Sequence, residues 1–127
     1  MLLKIKANRQ QTYSKYLSIV GVVLTLSGLK SFTETESKVL AEFLAIEHEL
    51  KNNNMIDMLF STPIRDRVAK TLGMTRSNLT NYISYLADKK AIQTREGSKV
   101  LFINPNLIPK TKEDGTIELT FIITPEQ

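Results

Sequence analysis

The 127-residue sequence has no cysteine and a single histidine. Without cysteine there is neither a disulfide framework nor a thiolate metal site, and one imidazole cannot assemble a zinc cluster, so no metal and no cofactor are expected. A glycine-rich phosphate loop is missing, as are a serine placed with a histidine and a carboxylate, and acids at metal-ligand spacing. With those gaps the chain is expected not to be an enzyme. No apolar run reaches the ~20 residues that a spanning helix requires. Tyr16 to Leu29, nearly uncharged and preceded by Lys4, Lys6, Arg9 and Lys15, imitates the outline of a secretory signal, but no small-residue cleavage site follows it. Repeats and low-complexity stretches are absent as well.

What is present fits one soluble domain over residues 1–127: 42% of residues are apolar and 24% charged. The net charge of +4 is modest, so its placement matters more than its size. Residues 1–32 carry five Lys/Arg and no acid, residues 33–57 six acids against two lysines, and residues 62–104 eight basic residues against three acids. A basic middle segment beside an acidic helix is the asymmetry of a domain that offers one basic face to an anionic partner.

Along the chain, Leu2 to Lys6 alternates as a short strand, and Thr12 to Leu26 repeats apolar residues at three and four. That spacing favours a helix, although Ile19, Val20, Val22 and Val23 are β-branched and Gly21 interrupts them, so a strand stays open for residues 12–27. Thr33 followed by Glu36 forms a capping box with Phe32 as its hydrophobic staple. A helix is expected from Glu34 to about Lys51 on the stripe Val39, Leu40, Phe43, Leu44, Ile46 and Leu50, its acids mostly facing solvent, with Asn52 to Asn54 as its stop. After a helical turn at 55–60, Thr62 is read as a cap with Pro63 in the first helical position, and a helix follows from Ile64 to Leu72. Gly73 closes it, and Thr75 opens another that runs to Lys90. Strands at Ala91–Arg95 and Val100–Asn104 are joined by a turn at Glu96, Gly97 and Ser98. Lys110 to Gly115 reads as a polar loop, and the alternation Ile117, Leu119, Phe121, Ile123 as a last strand expected to pair with Leu2–Lys6.

The informative stretch is Pro63 to Lys90, two helices about a tight turn. Ala69, Gly73 and Leu79 sit four and six residues apart: a small residue where helices cross, a glycine for the turn, and a leucine returning to the shared core. Here the sequence resembles the helix-turn-helix superfamily, and the β-hairpin after it makes residues 33–104 similar to the winged-helix branch, including MarR-like regulators and the initiator domains of plasmid and phage replication proteins. The resemblance implies an α+β fold, a winged helix-turn-helix of three to four helices with a hairpin wing at 91–104, flanked by 1–32 and 105–127. It implies a reading helix at about 75–89 set in the major groove of double-stranded DNA, in a transcriptional regulator or replication-type factor. Cytoplasmic placement is expected, in host cytoplasm or a virion if phage-encoded.

Subtracting the core stripe Leu79, Tyr82, Ile83 and Leu86 leaves Arg76, Ser77, Asn78, Thr80, Asn81, Ser84 and Tyr85 outward. Arginine bonds guanine at two points and asparagine does the same for adenine, so Arg76, Ser77, Asn78 and Asn81 are the candidates for base contact. Lys70, Thr75, Thr80, Lys89, Arg95 and Lys99 are the candidates for phosphate contact, the last two from the wing. A dimer is expected, with the Thr12–Leu26 helix as its seam. Blander roles stand beside these: a polar helix face is commonly just solvated, and cations near a hairpin turn protect an edge strand. A different class of function, an adaptor or assembly component binding protein, is kept open by the acidic helix, the modest charge and the strand-forming termini.

Overall fold

A computed structural model describes residues 9–26, 30–94, 97–112 and 117–118. The chain is α+β: helices α1 (Arg9–Leu26), α2 (Glu34–Asn52), α3 (Thr62–Leu72) and α4 (Arg76–Asp88) are followed by an antiparallel pair, β1 (Ile92–Thr94) and β2 (Leu101–Ile103). A second, shorter pair joins β3 (Lys110–Thr111) to β4 (Ile117–Glu118).

Helix α2 is the hub, packing against α1, α3 and α4. Its capping box is formed as the sequence implies: the Thr33 hydroxyl accepts from the Glu36 N–H and the Glu36 carboxylate accepts from the Thr33 N–H. Val39, Leu40, Phe43 and Leu44 are wholly buried, and the Phe43 ring lies on Phe60 with centroids 4.6 Å apart.

Helix α1 settles the helix-or-strand ambiguity over residues 12–26; residue 27 lies outside the described residues. Tyr13, Tyr16 and Leu17 are buried in the common core, and that burial outweighs the few tenths of a kcal/mol lost at each β-branched residue. The Tyr16 hydroxyl, its pKa raised by burial, donates to the Leu107 carbonyl at 2.7 Å and so ties α1 to the segment after β2. The face expected as a dimer seam is therefore consumed inside the chain at these three residues.

Helices α2, α3 and α4 end in the same way. Asn54, Gly73 and Lys90 take left-handed conformations at φ 57°, 66° and 65°. In each case the next N–H reaches back to close a Schellman motif: Met55 to Leu50, Met74 to Ala69 and Ala91 to Leu86. A Cβ at Gly73 would meet nothing within 4 Å, so glycine serves there through backbone freedom alone. Lys90 adopts the same conformation without that freedom, its carbonyl held by the side-chain amides of Gln93 and Asn104. Gly73→Ala is accordingly expected to cost about 1 kcal/mol and Lys90→Gly to gain about 0.5–1 kcal/mol, read as opposite shifts of the urea midpoint. A neutral Gly73→Ala would mean that backbone handedness is not what stops α3.

The start of α3 differs from the expected cap. Ser61, not Thr62, occupies the N-cap, Thr62 and Pro63 lie in the first turn, and the Ser61 hydroxyl is buried without making a cap bond. In the hairpin, Ile92 faces Ile103, both buried, while Thr94 faces Leu101 near the turn. The expected Leu2–Lys6 strand lies outside the described residues. Its expected pairing with Ile117–Ile123 therefore lies outside them too, while Ile117 and Glu118 pair with Thr111 and Lys110, so that Lys110 and Thr111, expected in a polar loop, form a strand.

Candidate nucleic-acid interface

Helix α4 is started by Thr75, whose hydroxyl accepts from the Asn78 N–H at 3.1 Å. Leu79, Ile83 and Leu86 are buried and Tyr82 is half-buried, which fixes the rotation of the helix. The 3.6-residue repeat then turns Ser77, Asn78, Asn81, Ser84 and Tyr85 to solvent, where all five are exposed. Among the described residues, the side chains of Ser77, Asn78, Asn81 and Ser84 have no hydrogen-bond partner within the chain. Tyr85 stands edge-on to Tyr82, centroids 5.7 Å apart. The face stays free of acid until Asp88, the last residue of α4.

The candidate cations are not equivalent. Arg76, first residue of α4, makes two parallel bonds to Asp66 on α3: Nε to Oδ1 at 2.9 Å and Nη2 to Oδ2 at 2.8 Å. Lys70 is exposed in the last turn of α3, and Lys99 is exposed between Gly97 and β2. Arg95 lies outside the described residues. Thr75 and Thr80 are exposed but already serve the helix: Thr75 is the cap, and the Thr80 hydroxyl donates to the Arg76 carbonyl at 3.0 Å. Arg65 donates to the Phe60 carbonyl, and Arg67 lies 3.6 Å from Glu49.

Lys89 does not belong to this face. Its ammonium donates to the Glu36 carboxylate and to the Ser31 carbonyl, with the side chains 19% and 6% exposed. It fastens the end of α4 to the start of α2 and is withdrawn from phosphate. Burial alone would raise the Glu36 carboxyl, but the Lys89 ammonium and the Thr33 donors outweigh it and hold the group below its ordinary value.

The acids of α2 also depart from the expected solvent-facing arrangement. Glu36 and Glu47 are buried, and burial holds both Glu42 and Glu47 above the ordinary value despite Arg67 near the first and Lys51 and His48 near the second. Glu34 pairs with Lys38, and Glu49 with Arg67.

The residue that sequence reading missed is Asp66. It is ten positions from Arg76 and on a different helix, and only the crossing of α3 and α4 brings the two together. Among the described residues no cluster of His, Asp and Glu is disposed to hold a metal ion, and no helix is long and apolar enough to cross a membrane. Compared with protein-family models, with curated proteins and with solved structures, the chain matches none.

Proposed function

We propose that this chain is a winged helix-turn-helix module that binds double-stranded DNA, with α4 as the reading helix and the β1–β2 hairpin as the wing. The observation that carries the reading is the unpartnered amide and hydroxyl face of α4. Arg65, Arg67 and Lys89 are engaged within the chain and Arg76 is held to Asp66 by one edge, whereas Ser77, Asn78, Asn81 and Ser84 face solvent with no side-chain partner among the described residues. Asparagine matches the N6 and N7 pattern of adenine in the major groove, and short hydroxyl side chains let a helix approach base edges closely. Lys70 and Lys99 supply cations for the backbone on either side in sequence. A module of this kind acts by occupying its site, as a transcriptional regulator or a replication-type factor. If two copies span half-sites one helical turn apart, their seam lies elsewhere than on Tyr13, Tyr16 and Leu17.

Titration of labelled duplex tests this. Binding is expected to weaken steeply between about 50 and 200 mM salt, as for any complex that releases counterions. Asn78→Ala combined with Asn81→Ala should lower affinity for the preferred sequence at least tenfold, since each two-point amide contact is worth about 1–3 kcal/mol. Duplex binding that ignores both changes would remove α4 as the reading element. One feature favours the adaptor reading: Met55, Ile56 and Met58, in the turn between α2 and α3, are exposed together and are better suited to a protein surface than to DNA. Absence of duplex binding at low salt, with a stable protein complex lost on Met58→Ser, would decide for it.

A further inference from the structure

We propose that Asp66 presets Arg76 to read a single guanine, making Asp66 a specificity-determining residue that itself touches no base; this rests on the DNA-binding reading above. Two bonds, Nε to Oδ1 and Nη2 to Oδ2, hold the guanidinium by one edge and fix its plane. The opposite edge, with donors on Nη1 and Nη2, remains open, because both contacts to Asp66 use the Nε side. Two parallel N–H donors fit two acceptors on one partner. In the major groove only guanine presents two, O6 and N7, whereas adenine pairs its N7 with an N6 donor, thymine offers O4 alone and cytosine offers a donor.

A phosphate also has two acceptor oxygens, and the choice between it and guanine follows from charge. The Asp66 carboxylate sits against the guanidinium, so a phosphate at the open edge would meet a second acidic group a few ångströms beyond it. The neutral edge of guanine meets no such repulsion. The pair's exposure leaves room for a role other than folding: with side chains 66% and 46% exposed, its contribution to stability is screened by solvent. Asp66 also places a negative charge on a surface that is to meet a polyanion, which favours discrimination over raw affinity.

The experiment begins by selecting the preferred duplex from a randomised pool with the full chain. The guanine that Arg76→Ala makes dispensable is then replaced by 7-deazaguanine, which lacks the N7 acceptor, or by inosine, which keeps O6 and N7. For the native chain, 7-deazaguanine should weaken binding about tenfold and inosine should be tolerated. Asp66→Ala should leave the melting temperature nearly unchanged and keep or raise affinity for unrelated duplex, yet cut the 7-deazaguanine discrimination to about twofold. Asp66→Asn, which retains one acceptor, should fall between. Full discrimination in Asp66→Ala overturns the proposal, as does a preferred site without a guanine that depends on Arg76; either leaves duplex binding itself standing. Failure to bind any duplex at low salt overturns both the proposal and the reading beneath it.

Discussion

Phe43→Ala is expected to remove about 3–5 kcal/mol of stability, a large share of the roughly 5–15 kcal/mol that keeps a domain of this size folded. Phe43 has no exposed surface and sits midway along α2, the helix that α1, α3 and α4 all pack on. Its ring also lies on Phe60, at the entry to α3, so truncation opens a cavity and forfeits an aromatic contact at once. Phe43→Leu, which refills most of the volume, should cost roughly a third as much. Urea denaturation is the measurement, with the midpoint falling at unchanged slope. A loss under about 1 kcal/mol for the alanine variant would show that the core collapses around the gap, and that α2 is not the rigid hub on which α4 is oriented.

The features legible in the sequence are those whose physics is local. The Thr33–Glu36 box, the stop at Asn54 and the glycine at 73 are each decided within four residues by backbone donors, acceptors and handedness, and each is formed. The stripe from Val39 to Ile46 is equally local, because a 3.6-residue repeat states which side is buried without saying against what. Helix α1 is less legible: β-branched residues and a glycine argue one way, and only packing on α2 argues the other. The pairing of Lys89 with Glu36, 53 positions earlier, was out of reach for the same reason, because helix crossing decides which charges meet. In the candidate interface, Ser77, Asn78 and Asn81 could be found by subtracting the core face of one helix, whereas the partner of Arg76 depends on two.

The second large effect is expected at Lys89. Lys89→Met leaves Glu36 buried and ionised without its cation, a change of the kind that costs about 3 kcal/mol or more when a sheltered ion pair loses one member. Glu36→Gln together with Lys89→Met should recover over half of that loss, since glutamine still accepts from the Thr33 N–H in the capping box and methionine replaces the lysine stem.

The dependence on pH separates charge from packing. In the native chain Glu36 lies below its ordinary value, so the unfolded chain takes up the proton first as the solution is acidified. The pair's stabilisation is complete above the ordinary glutamate range and is lost as the pH falls through the lowered native value. Glu42 and Glu47, held up by burial, act in the opposite sense, adding stability as they protonate in the window above that range. Removing the lysine leaves only the Thr33 donors to oppose burial, so Glu36 shifts upward in the direction of these two. The gap between native chain and Lys89→Met should therefore be widest near about pH 7 and shrink towards about pH 4, where the uncompensated carboxylate can neutralise itself. An equal gap at both values would mean that Lys89 acts through its hydrocarbon stem. The ion pair would then no longer account for how the end of α4 is fastened to the start of α2, and with it the orientation of the face that carries Asn78 and Asn81.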